Sequence, residues 1–241
     1  MTLKSGNNTN EAEIPAKTEE TSTKHSHSKA YRKQNIAQRL AIVKRALDNS
    51  KNNPEISAQL AVFGYNSERI LFFENLYNEA VEANSYQQKE FGEKFEAHAE
   101  FERLFAIAKR DYFGALSVAR VAFKKQPEKL TKLGADQVKK QTISGLNDQM
   151  QTFYDNALND ESILEAMSVF SYDQKKLTGF KGNFLSSLSA YSNFYRENAE
   201  SVIATKARDK KIEALDDFYS DFFTIAKLAF ANNPQLLKEV V

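Results

Sequence analysis

Cysteine and tryptophan are missing from this chain, and only 4 Pro and 8 Gly punctuate its 241 residues. Without cysteine there is no disulfide framework, no thiolate metal site and no cysteine nucleophile. Histidine is nearly as scarce, at 3 residues: His25, His27 and His98. So few turn formers favour long helices over a many-stranded sheet. No apolar run approaches the roughly 20 residues that a membrane-spanning helix needs. The opening MTLKSGNNTNEAE has no apolar core of a secretory signal, so a cytoplasmic protein is expected. Walker loop, G-x-G-x-x-G, G-x-S-x-G and H-E-x-x-H are all absent. No cofactor and no enzymatic reaction are therefore expected.

What is present points to a helical body. Hydrophobic residues make up 41%, with 18 Phe and 10 Tyr, which suffices for a substantial core. Residues 1–27 are polar and cannot offset the entropy of ordering, so a disordered tail is expected there. After it, Ile36, Leu40, Val43 and Leu47 follow 4-3-4 spacing and make one helical stripe. The run Asp48, Asn49, Ser50, Asn52, Asn53 ends that helix. Pro54 suits the first turn of a short helix over 54–62, expected to bury Ile56, Leu60 and Val62–Phe63. Gly64 stops it, and Asn66 or Ser67 can cap the next helix.

From Ser67 to Phe123 no proline intervenes. Apolar residues continue at Ile70, Phe73, Tyr77, Ala80, Phe91, Phe95, Phe105, Ala108, Tyr112, Ala119 and Ala122, with a polar middle around 84–90. One helix of the full length and a hairpin turning near Gly92 both fit this pattern. The corresponding stretch from Gln174 to Phe230 has no Gly or Pro at its midpoint, which favours the continuous helix.

That correspondence extends along the chain. Sliding by 107 positions aligns 28–134 with 135–241 without a gap. Matches include Lys33/Lys140, Ile36/Ile143, Asn49/Asn156, Ile56/Ile163, Val62/Val169, Phe63/Phe170, Tyr65/Tyr172 and Phe73/Phe180. They continue through Glu90/Glu197, Ala97/Ala204, Tyr112/Tyr219, Phe123/Phe230, Pro127/Pro234 and Leu130/Leu237. The expectation is an all-α fold of two tandem units, 28–134 and 135–241. Each would hold two shorter helices and one long one, and together they would form an antiparallel bundle or coiled coil. Phe63, Tyr65, Phe73, Tyr112, Phe123 and Pro127, with Phe170, Tyr172, Phe180, Tyr219, Phe230 and Pro234, are its expected structural anchors.

Candidate chemistry is thin. A Glu-x-x-His pair, as in di-iron bundles, fails because Phe95 stands where the glutamate belongs before His98. Asp209, Glu213, Asp216, Asp217 and Asp221 form the densest acidic group. Glu213, Asp217 and Asp221 recur at i,i+4 and are candidate oxygen ligands for Ca²⁺ or Mg²⁺, against a plain solvated face paired with lysines. The first unit carries 18 Lys/Arg against 13 Asp/Glu, and the second 12 against 15. This asymmetry can drive docking within the chain or between copies. Lys29, Arg32, Lys33, Arg39, Lys44 and Arg45 make a basic stretch that could meet an anionic polymer or membrane surface.

FGYNSERI (63–70), FGEKFEAH (91–98), ARVAFKKQP (119–127) and AKLAFANNPQLL (226–237) resemble stretches of uncharacterised bacterial helical proteins with two tandem units. That resemblance implies an all-helical fold and no particular activity. The functional expectation is a non-catalytic structural or protein-interaction module that binds a partner or itself. The alternatives are a carboxylate-based metal or small-ligand site, and an anionic surface binder through 24–47.

Overall fold

The computed structural model describes residues 31–240. The expected tail over 1–27, with His25 and His27, lies outside them, as does Lys29 of the basic stretch. Eight helices fall wholly within the described residues, and no strand does. They are α1 (Ile36–Asn52), α2 (Pro54–Val62), α3 (Ser67–Ala122), α4 (Pro127–Lys132), α5 (Ile143–Leu158), α6 (Glu161–Ser168), α7 (Gln174–Ala229) and α8 (Pro234–Val240). The helix starts Ile36/Ile143, Pro54/Glu161, Ser67/Gln174 and Pro127/Pro234 are each 107 positions apart. Both α3 and α7 are single helices of 56 residues, so the hairpin alternative does not occur. Gly92 sits inside α3, where nothing crowds it.

Local chemistry sets the helix ends. Asn35 and Gln38 form a capping box that opens α1: the Asn35 side chain accepts from the Gln38 amide at 2.9 Å, and the Gln38 side chain accepts from the Asn35 amide at 3.2 Å. Asn53 caps α2 by accepting from the amides of Glu55 and Ile56. Asp160 does the same for α6 with Ser162 and Ile163. Asn66 accepts from the Arg69 amide at 3.0 Å at the head of α3.

The stops at the ends of α2 and α6 are alike although their sequences differ. Gly64 takes φ of 84° and Ser171 takes φ of 61°. In the first turn the amides of Gly64 and Tyr65 donate back to Ala61 and Leu60; in the second, those of Ser171 and Tyr172 donate to Ser168 and Met167. This is the Schellman arrangement. It turns Tyr65 inward to 2% exposure. The residues before the turn are left outside, which corrects the expectation that Val62–Phe63 is buried. Val62 and Val169 are both 78% exposed, and Phe63 and Phe170 are 39% and 43% exposed.

The described residues form two compact units: 31–82 with 209–240, and 83–208. Neither is one of the two sequence halves. The first unit joins α1, α2 and the start of α3 to the end of α7 and α8. Its core holds Val43, Leu47, Ile56, Leu60, Phe73, Tyr219, Phe222 and Phe230. The Phe73 ring meets those of Phe218 and Phe222 at 4.8 and 5.2 Å. The second unit joins the rest of α3 to α4, α5, α6 and the start of α7, around Tyr112, Phe123, Met150, Phe153, Tyr154, Ile163, Met167 and Phe184. Tyr112 stands edge-on to Phe153 at 5.6 Å.

The physical reason is the length of α3 and α7. Such a helix presents its apolar stripe far beyond the reach of its own half's short helices, and it must bury that stripe on another helix. Within each unit, the two long-helix segments run antiparallel. Glu79 pairs with Lys211 in the first. In the second, Gln87 lies beside Arg208 and Phe101 beside Tyr191.

The buried face of α3 runs through Ile70, Phe73, Ala80, Gln87, Glu90, Ala97, Phe101, Phe105, Ala108 and Tyr112. These positions keep the three-and-four spacing of a helix seam. Phe91 and Phe95 lie off that phase and are exposed, contrary to expectation, with their rings 4.7 Å apart. Pro127 and Pro234 begin α4 and α8 at the surface, while Tyr172 and Phe180 are half-buried.

A Cβ at position 64 would meet nothing within 4 Å, so Gly64→Ala probes backbone strain alone. It is expected to cost about 1 kcal/mol in urea denaturation, and Ser171→Gly to gain a somewhat smaller amount. Equal stability of both variants with the parent would show that neither turn is left-handed.

Candidate functional site

Among the described residues the acids over 209–221 do not gather into one cluster. Glu213, Asp217 and Asp221 are exposed, and among the described residues no acidic cluster includes them. Asp217 pairs with Arg32 at 2.5 Å at the surface. Asp216 faces inward instead. It accepts from the Tyr31 hydroxyl at 2.9 Å and is ion-paired with Arg39, both partners being largely buried. Burial pushes the Asp216 carboxyl above its ordinary value, against the pull of the Tyr31 hydrogen bond and the Arg39 charge. The same burial, with Asp216 beside it, keeps the Tyr31 phenol protonated as a donor. The Tyr31 ring also meets that of Tyr219, tilted, at 4.7 Å, and burial pushes Tyr219 up to about 12.

The candidate basic surface is drawn into the same contacts. Arg32 and Arg39 meet acids of α7, and Lys44 pairs with Asp48 on its own helix. The charge asymmetry of the two sequence halves is thus partly met inside the first unit. Lys33 stays exposed. His98 is a surface residue: its Nε2 lies 3.8 Å from Glu102 Oε1 and its ring rests 4.9 Å from Phe194. The tyrosines serve packing. Tyr65 lies under the Arg69 guanidinium at 4.5 Å, and Tyr172 lies under the Lys176 ammonium at 4.0 Å.

No family model, curated protein or solved structure matches this chain.

Two features escape a reading by composition. The first is the apolar edge at the α2 and α6 turns. In the first unit, exposed Val62 and Phe63 adjoin a shallow groove lined by Gly64, Asn66, Glu68, Arg69, Phe72 and Phe218. Phe72 is itself more than half exposed and leans on Phe218 at 5.6 Å. The second unit exposes Val169 and Phe170 at the equivalent turn. The Val-Phe-x-Tyr match holds the signal, since of its three matched residues only the tyrosine turns inward and the valine and phenylalanine stay exposed. The second feature is the carboxylate cluster that does assemble, Glu90 with Glu197 and Glu200. Its signal is the Glu90/Glu197 match together with Glu93/Glu200, which also correspond at 107 positions. Among the described residues no helix is long and apolar enough to cross a membrane.

Removing Asp216 strands the largely buried Arg39 charge. Asp216→Ala is expected to lower stability by about 3 kcal/mol, and Asp217→Ala, which breaks only the surface pair, by less than about 1 kcal/mol. Urea denaturation of both variants checks the difference.

Proposed function

We propose that this chain is a non-catalytic, cytoplasmic helical scaffold that works by binding protein, and that it associates with further copies of itself. The observation that carries this reading is the pair of matched apolar edges, Val62–Phe63 and Val169–Phe170, exposed to nearly equal extents. Large apolar side chains at equivalent turns in both units would make one chain bivalent, and bivalency is what a scaffold needs. The aromatic groove beside the first edge offers Phe72 and Phe218 as anchors with Arg69 and Glu68 at the rim, a composition typical of docking faces. Net charge of only +1 opposes self-association little.

The same reading treats the chain as two tandem copies of one helical unit. Its support is the constant 107-residue offset of the helix starts and the left-handed stop shared by Gly64 and Ser171. Duplication would explain why the two edges match.

Light scattering over a concentration series tests the proposal. The full chain is expected above monomer mass at high concentration. Replacing Val62, Phe63, Val169 and Phe170 by serine should weaken association at least about tenfold, since four exposed apolar groups leave the contact. A strict monomer at every concentration would overturn self-association, as would association unchanged by the four replacements.

A further inference from the structure

The seams of α3 and α7 keep their helical phase through the polar middle of the chain, and this carries acids inside. On α3 the phase that buries Ala97 and Phe101 also buries Gln87 and Glu90. On α7 the phase that buries Ala204 also buries Glu197 and Ser201. All of these lie in the second unit. Gln87 is answered by Arg208, whose guanidinium donates to its side-chain oxygen at 2.9 Å. Glu90 is not answered in the same way. It is 3% exposed, and its Oε2 has no hydrogen-bond partner.

Its neighbours do not make up the deficit. The nearest ammonium, Lys89 Nζ, is 3.8 Å from Glu90 Oε1 and closer to Glu93, at 3.2 Å. Tyr86, one turn earlier on α3, also leaves Oε2 unmet. Carboxylate oxygens of Glu90, Glu197 and Glu200 all lie within 4.8 Å of one another. The cleft they face adds Glu93, Glu96 and Glu100 and only one cation, Lys89. Arg196 bonds Glu197 at 2.6 Å from outside that wall, and Arg103 holds Glu100 at 2.8 Å. Desolvating a carboxylate without a partner is costly, and crowding others against it adds repulsion.

A bound cation resolves both problems. Oxygens that share a Ca²⁺ ion sit at about 2.3–2.6 Å from it, so they can lie up to roughly 5 Å apart across it. The separation in this cluster fits that limit. No histidine or cysteine belongs to the cluster, so the donor set is all oxygen and selects a hard ion over zinc or copper. The acids also come in a pattern. Glu90–Glu93 on α3 and Glu197–Glu200 on α7 are two Glu-x-x-Glu pairs, 107 positions apart.

We infer that Glu90, Glu197 and Glu200 form a binding site for a hard divalent cation, with the unpartnered Glu90 oxygen as its innermost ligand and Glu93 within reach of the same cleft. This site is independent of the exposed edges at the α2 and α6 turns. It would act as a staple between α3 and α7 where their seam is polar.

Titration calorimetry and thermal melting of the metal-stripped full chain with Ca²⁺ and with Mn²⁺ test it. At least one ion is expected to bind and to raise the melting temperature. Glu90→Gln and Glu200→Gln should each weaken binding at least about tenfold, and Glu213→Gln, at an exposed α7 position, should leave it unchanged. Circular dichroism checks that the variants fold, and Glu200→Gln decides if Glu90→Gln does not. Failure of both ions to bind the folded parent at concentrations up to about 1 mM, the weak end of protein Ca²⁺ sites, would overturn the inference. So would binding that both glutamine variants retain.

Discussion

Two uninterrupted helices of 56 residues set the terms for everything else in this molecule. A helix of that length presents a long, mostly apolar face and has no means of folding back to cover it. Short helices from the same half of the chain can shield only one end. The remaining face has to be covered by the other long helix, and an antiparallel course brings the beginning of each beside the end of the other. This dictates the composition of both compact units. Phe73 meets Phe218 and Phe222 in one, and Phe101 meets Tyr191 in the other, each contact joining residues from opposite halves of the sequence.

The same constraint explains the polar interior. Helical phase is rigid, so a seam cannot step aside when the sequence turns hydrophilic. Where it passes Gln87, Glu90, Glu197 and Ser201, those side chains are buried because of their position and in spite of their chemistry. Phe91 and Phe95 remain outside for the converse reason. Such positions lower the stability of a pairing that hydrophobic residues would strengthen, so their presence calls for a compensating contact. Arg208 supplies it for Gln87. For Glu90 and its neighbours a cation is the simplest group with the right charge and size.

Much of the fold is legible in the sequence because its punctuation is local. Asn53-Pro54 reads directly as a cap leading into a first helical turn, and Gly64 as a stop. The continuity of α3 and α7 is legible from the lack of proline. Ser171 is harder, since serine rarely takes positive φ, and only its alignment with Gly64 marks it. The exposed Phe91 and the buried Glu90 defy a sequence reading for a common reason. Their placement depends on phase along the helix and not on the hydrophobicity of the residue. The carboxylate cluster is further hidden because its acids come from two helices and become neighbours only once the antiparallel register is drawn. The acids that do crowd together in sequence, from Asp209 to Asp221, spread around one helix and meet solvent or arginine instead.

The absence of cysteine makes the antiparallel pairing open to direct measurement. Glu79 and Lys211, joined by an ion pair in the first unit, are 132 positions apart in sequence. A chain carrying cysteine at both sites and treated with a short bis-maleimide should cross-link within one molecule at high dilution, visible as a faster-migrating monomer on a denaturing gel. Failure of that double variant to cross-link internally while fully folded would contradict the account.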